Sequence, residues 1–261
     1  MISSKDNPKF RLLQDLAERK HRDSSGLMIV EGAQEIALAL KHDHEIHGSF
    51  LCPDRIKTGA DRDLAGLLNA RHPKPLEFDE KLFSKLSYMA TSSALLVVKQ
   101  PKRSLSSLNV NDRSFVLVVV GIEKPGNLGA LVRTADAVSA CAVIVADPHI
   151  DPWNPNALRG SRGSILTLPL VETSSLETLR WLRQKSFHIY TADAQQGQNL
   201  FEAQFKQPCA LVLGAEKHGL PEVWKQAGLS PLKIPMREGL DSLNVSVAAG
   251  VLMYRMTNAG P

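Results

Sequence analysis

The chain is poor in cysteine, has neither of the common glycine-rich phosphate loops and contains no long apolar run. Each shortage removes a class of protein. Cys52, Cys141 and Cys209 are odd in number, far apart and without Cys-x-x-Cys spacing, which disfavours a disulfide framework and a cysteine-held zinc cluster. Such usage points to a reducing cytoplasm. The opening residues Met1 to Asn7 lack the apolar centre of an export signal, and the longest apolar run, Phe115 to Val120, is far shorter than a membrane span. No membrane association is expected. His42, His44 and His47 fit neither helical nor finger spacing and have no cysteine or carboxylate pair beside them, so no metal is expected.

Nucleotide-binding fingerprints are missing as well. No Gly-x-x-x-x-Gly-Lys-Ser/Thr occurs, and Gly214-Ala-Glu216-Lys-His-Gly219 puts glutamate where a dinucleotide fingerprint needs its second glycine. An NAD enzyme and a nucleoside triphosphatase are therefore disfavoured. What remains is ordinary globular composition, 43% hydrophobic and 22% charged, which argues against disorder. The 261 residues suffice for one large domain or two ordinary ones. Thirty-one Lys and Arg against 27 Asp and Glu give a net charge of +4, which suits a polyanionic partner; a solvated surface explains it equally well.

Residues 5–22 carry Lys5, Lys9, Arg11, Arg19, Lys20, His21 and Arg22, with Phe10, Leu12, Leu13 and Leu16 at roughly helical spacing, and predict one amphipathic basic helix. Lys9 and Arg11 are its candidate phosphate contacts, with a solvated face as the alternative. Strands at 27–30, 50–52 and 95–98 alternate with helices at 33–40, 64–70 and 81–89, which indicates a small α/β domain over 1–98. The polar stretch 99–112 reads as a linker. From 113 to 261 buried-type strands at 115–121, 142–146, 165–168, 187–191, 209–213 and 232–234 alternate with helices at 128–140 and 174–185, as in an open, largely parallel sheet.

Such sheets bind ligands at the carboxyl ends of their strands. Those ends carry Asn127, Asp193, Gly214-Ala-Glu216 and, after Ile234-Pro-Met236, the segment Asp241-Ser242-Leu243-Asn244-Val-Ser246. A helix opening at Ser242 and running to Tyr254 crowds that polar cluster onto a helix N-terminus, where free backbone N–H groups suit a polar ligand. Plain capping by Ser242 and Asp241 is the alternative. Arg133 falls off the apolar stripe Leu128, Leu131, Val132, Ala135, Val138 and so faces away from the core. Arg159-Gly-Ser-Arg162-Gly163 places two arginines beside glycines, as a phosphate-contacting loop or as a capped surface helix.

Taken jointly, Asn127-Leu-Gly129-Ala-Leu-Val-Arg133-Thr-Ala135, Leu211-Val-Leu-Gly214-Ala-Glu216-Lys-His-Gly219-Leu220 and Ile234-Pro-Met236 through Ser242-Leu-Asn244-Val-Ser246 resemble the three motifs of the SpoU/TrmH branch of the SPOUT RNA methyltransferases, in order. The N-terminal half looks like the small substrate-binding domain often attached in that family. Its Ile2-Ser-Ser-Lys-Asp-Asn-Pro8 and Val30-Glu-Gly32 segments resemble members acting on ribosomal RNA. The resemblance implies a SPOUT-type parallel sheet with a trefoil knot, and transfer of methyl from S-adenosylmethionine to a ribose 2′-hydroxyl, first of all in 23S-type ribosomal RNA. It implies Gly214, Ile234, Met236, Ser242 and Leu243 at the cofactor, and Asn127, Arg133, Glu216, Ser242 and Asn244 as the catalytic group. It further implies a homodimer in which Arg133 serves the partner's site. A tRNA ribose methyltransferase and a non-catalytic RNA-binding or ribosome-assembly protein remain the alternatives. Departures from the pattern are Glu123 and Lys124 before Pro125, Glu238 ahead of Gly239, and Arg255 after Tyr254.

Overall fold

The computed structural model describes residues 1–72, 74–215, 218–225, 227–239 and 242–257. By internal contacts the chain divides into two units, one of residues 1–101 with 152–167 and the other of 102–151 with 168–261.

In the first unit α1 (Pro8–Asp15) starts at Asn7, whose side chain accepts from the Lys9 amide, with proline in the first turn where no N–H is needed. The single basic helix expected over residues 5–22 is two helices, α1 and α2 (Arg19–Ser25). Arg22 explains the break. It is only 2% exposed, and its guanidinium donates to the Leu16 and Ala17 carbonyls at 2.7 Å each, so it caps the end of α1 from the inside. The chain continues through β1 (Leu27–Glu31), α3 (Ala33–Lys41), β2 (Ile46–Leu51), α4 (Gly59–Arg71), β3 (Leu76–Glu77), α5 (Glu80–Phe83) and β4 (Ala94–Lys99). The sheet order is β1-β4-β2-β3, with β4 antiparallel to both neighbours and β3 parallel to β2. Phe10, Leu13, Phe50, Phe78 and Phe83 fill its core. The helix expected over 81–89 stops at Phe83. Beyond it the Tyr88 and Met89 amides turn to the Glu31 carboxylate at 2.9 and 3.1 Å, which removes them from a helical ladder.

The second unit is built on β5 (Phe115–Val120), all six residues buried. It is followed by α6 (Pro125–Ala137) and β6 (Ala142–Ala146), and then by α7 (Pro155–Ser161) and α8 (Ser164–Thr167), which belong to the first unit. The strand expected over 165–168 is the helix α8, and the strand is β7 (Leu170–Thr173). Pro169 gives the reason, because a residue before proline leaves the helical region and the Pro169 carbonyl already accepts from Val143 on β6. Next come α9 (Ser175–Gln184), β8 (His188–Ala192), β9 (Gln198–Asn199), β10 (Cys209–Leu213), α10 (Glu222–Lys225), β11 (Ser230–Lys233) and α11 (Val245–Thr257).

The seven strands run in the order β7-β6-β5-β10-β8-β11-β9, every pairing parallel. A sheet buried on both faces explains the unbroken apolar strands. In this order β10 enters between β5 and β8, two strands that precede it in the chain. Of the polar stretch 99–112, Leu108 is buried in this unit's core, and Leu105 and Val110 pack on it. Helix α11 packs on α6, where Gly250 leaves space for the Thr134 methyl. It opens at Val245, later than the Ser242 expected, because the Asn244 side chain accepts from the Ser246 amide at 2.9 Å and so takes the cap position.

Candidate functional site

Three parallel strands, β8, β10 and β11, finish side by side, and their carboxyl ends with the loops beyond them bound a cavity of about 460 Å³. Ala192, Asp193 and Ala194 continue β8; Leu213, Gly214 and Ala215 end β10; Leu232, Ile234 and Met236 follow β11; and Ser242 to Val245 lead into α11. The walls are mostly aliphatic, while Lys124, Asp193, Ser242 and Asn244 supply the polar groups. A ligand with an apolar body and a few polar ends fits such a lining and size.

The turn after β10 is narrow. Ala215 and Gly219 pair back to back, with amide-to-carbonyl distances of 2.9 and 3.2 Å. Gly214 sits under that bridge, where any Cβ would meet backbone. On the other side Asp193 is fixed from both directions: its amide donates to the Leu232 carbonyl at 2.9 Å, and its carboxylate accepts from the Gln195 and Gln196 amides at 2.8 and 2.9 Å. The carboxylate is therefore held in place in the cavity lining, an acceptor for hydroxyl or amino groups.

Of the residues singled out in the sequence, Gly214, Ile234, Met236, Ser242, Leu243 and Asn244 all line this cavity. Asn127 does not line it; it lies in the first turn of α6, half-buried, with its carbonyl 3.5 Å from the Ser246 hydroxyl. Arg133, further along α6, is exposed and outside the lining. Glu216 and Asp241 lie outside the described residues. Sequence reasoning missed Lys124 as a wall residue, and also Ala248 and Leu252. The last two had a signal, since Asn244, Ala248 and Leu252 recur every four residues and share one face of α11.

The thiols are not reactive groups. Burial pushes Cys209 up to about 12 and raises Cys141, so both stay protonated near neutral pH. Among the described residues no group of three or more His, Cys, Asp or Glu side chains is placed to hold a metal, and no helix is long and apolar enough to cross a membrane. In the first unit Arg11 is exposed but tied to Asp6 at 2.6 Å, and Lys9 is half-buried. The basic group there also includes Lys85, whose ammonium is held below its ordinary value chiefly by the adjacent Lys5. Arg159 and Arg162 are exposed at the end of α7.

A parallel sheet with its ligand cavity at the strand ends, closed by the start of a helix, defines an α/β enzyme of the cofactor-binding kind. Residues 114–254 match the model of the SpoU rRNA Methylase family, and residues 7–96 match the MRM3-like substrate binding domain. The chain belongs to the SpoU rRNA methylase family. It is 27% identical to the 23S rRNA (guanosine(2553)-2′-O)-methyltransferase RlmP of Bacillus subtilis, with 98% of each chain covered. To the 23S rRNA (uridine(2479)-2′-O)-methyltransferase of Streptomyces viridochromogenes it is also 27% identical, over 95% of this chain and 88% of that one. Among solved structures, an RNA 2′-O ribose methyltransferase superposes with a TM-score of 0.84 at 33% identity over 98% of both chains. The methyltransferase AviRb of Streptomyces viridochromogenes, in complex with the cofactor AdoMet, gives 0.85 at 26% identity over 97% of both.

Proposed function

We propose that the protein transfers a methyl group from S-adenosylmethionine to a ribose 2′-hydroxyl of ribosomal RNA. The observation that carries this reading is the convergence of two of the three motif segments, 211–220 and 234–246, on one cavity at the strand ends. The aliphatic walls suit the uncharged parts of the cofactor, and the fixed Asp193 carboxylate and the Ser242–Asn244 turn offer acceptors and donors to its polar ends. Gly214, Ile234, Met236, Ser242 and Leu243 would hold it. When bound, S-adenosylmethionine supplies a methyl on a positively charged sulfur. Ribosomal RNA is favoured over tRNA because two relatives matched over most of both chains are named for 23S rRNA.

The chain's part is to bring a weak nucleophile into line and to relieve it of its proton. Arginine does not give up its own proton. Arg133 therefore clamps the phosphate beside the target ribose and stabilises the charge that develops on the 2′-oxygen. Glu216 and Asn244 orient that hydroxyl and the arginine, Asn127 supports the same group from the start of α6, and Ser242 closes the floor of the pocket.

Arg133 is outside its own chain's cavity, and this supports a homodimer in which it completes the partner's site. A surface for such a partner exists on α11, where Val247, Val251 and Tyr254 are 55%, 36% and 48% exposed on one helical face. The trefoil knot belongs to the same reading, with β10 seated between β5 and β8 in the sheet. Lys9, Arg11, Arg159 and Arg162 would contact RNA phosphates. A reducing cytoplasm fits three free thiols. Calorimetry on the purified protein tests the reading: one S-adenosylmethionine site per chain is expected, and folded protein that binds neither this cofactor nor its demethylated product removes it.

A further inference from the structure

In the first unit a buried carboxylate is used to hold an exposed aromatic ring. Glu31, at the end of β1, is 9% exposed, and its oxygens accept from the Ser87 hydroxyl and from the Tyr88 and Met89 amides at 2.9 and 3.1 Å. Burying a carboxylate is costly unless every lone pair finds a donor. Here all three donors come from one short turn. That turn adds little to the core, because the ring at its centre, Tyr88, is 44% exposed. Fixing the backbone on both sides of the ring leaves it presented to solvent with much of its conformational entropy already lost.

The surroundings of the ring share one chemistry. The Arg159 guanidinium stands 5.9 Å from the Tyr88 ring centre and is itself steered by the Asn156 side chain. Arg162, three residues on, has a left-handed backbone with φ of 51° and donates to Gln34 on α3 at 3.4 Å. Gly163 follows with φ of 89°, packed so closely on Leu38 that a Cβ would lie 2.5 Å from its methyl carbon. The turn that presents Arg162 is thereby locked against α3. A half-exposed aromatic ring, a guanidinium over it and a second exposed arginine three residues along the chain match an unpaired nucleotide, since bases stack on tyrosine and arginine planes and phosphates take arginine.

We propose that Tyr88 and Arg159 form a stacking platform for one unpaired base of the RNA, with Arg162 on a neighbouring phosphate. This rests on the RNA methyltransferase reading and names how the first unit of the chain recognises its substrate: by a splayed-out nucleotide. A surface salt bridge could not do this, because charge alone does not distinguish a base from an empty ribose.

The test compares the full-length protein on two probes by fluorescence anisotropy, a uridine oligomer of about twelve nucleotides and an oligomer of equal length without bases. Wild type should prefer the uridine oligomer. Tyr88→Ala should weaken uridine-oligomer binding roughly tenfold with the baseless probe unchanged, while Tyr88→Phe stays near wild type. Arg162→Ala should weaken both probes alike and lower the salt slope by about one. A Tyr88→Ala protein that matches wild type on the uridine oligomer, or loses the same factor on both probes, overturns the proposal, as does a wild type without preference. Failure of the methyltransferase reading is separate: it shows as wild type that does not bind S-adenosylmethionine in the calorimeter.

Discussion

An ideal Cβ on Gly214 would stand 2.4 Å from the carbonyl carbon of Gly219, in a bridge where Ala215 and Gly219 already exchange both backbone hydrogen bonds. The obstacle is backbone and not the end of a flexible side chain, so the turn itself must move. Gly214→Ala should therefore weaken cofactor binding by at least tenfold and destabilise the protein by about 1–3 kcal/mol, as overpacking does. Calorimetry and a denaturant titration would measure both. Unchanged affinity and stability would show that the turn is freer than its geometry implies.

Arg133 is exposed and is not among the residues that line the cavity. Arg133→Ala should cut methyl transfer by roughly a hundredfold or more and leave cofactor affinity within a few-fold. If it acts on the partner's substrate, an Arg133→Ala chain mixed with an Asn244→Ala chain should regain part of the activity. A mixture no better than its parents contradicts the shared site.

The proposed dimer uses the outer face of α11. Val247→Asp with Val251→Asp should halve the mass seen by light scattering and abolish methyl transfer, and the fold of each chain should survive because both valines are at least one-third exposed. A monomeric wild type would refute the dimer.

Stability in acid should report Asp61. Its carboxylate accepts from the Thr58 amide and hydroxyl at 2.9 and 2.7 Å and from Ser93 at 3.0 Å, which holds its pKa at about 2 against an ordinary 3.8. A folded-state value below the unfolded one gives stability that is present above the unfolded value and lost as pH falls through the folded one. Asp61→Asn should thus be less stable than wild type at neutral pH, and the difference should close between about pH 4 and 2. A difference that stays constant through that window would contradict these hydrogen bonds as the source of the stability.

The second unit was more legible in the sequence than the first for a physical reason. A strand covered on both faces, such as Phe115–Val120, must be apolar throughout, so its composition announces it. Local pattern fails where distant side chains decide. Arg22 counted as surface charge and is a buried cap, Glu31 diverts backbone amides 57 and 58 residues later, and Pro169 goes with a strand that lies five positions further along the chain than expected. In the site, Gly214, Ile234, Met236, Ser242, Leu243 and Asn244 fell on the cavity wall and Asn127 and Arg133, carried by the same resemblance, did not, while Lys124 carried no periodic signal and Ala248 and Leu252 read as ordinary core.

The chemistry itself is the most direct test. Purified protein, ribosomal RNA lacking the modification and S-adenosylmethionine with a labelled methyl are incubated, and the RNA is digested completely to nucleosides. The label should appear on a 2′-O-methylated nucleoside, at a site whose flanking phosphodiester resists alkali. Label on a base, or none on RNA with folded and cofactor-binding protein, would contradict the account.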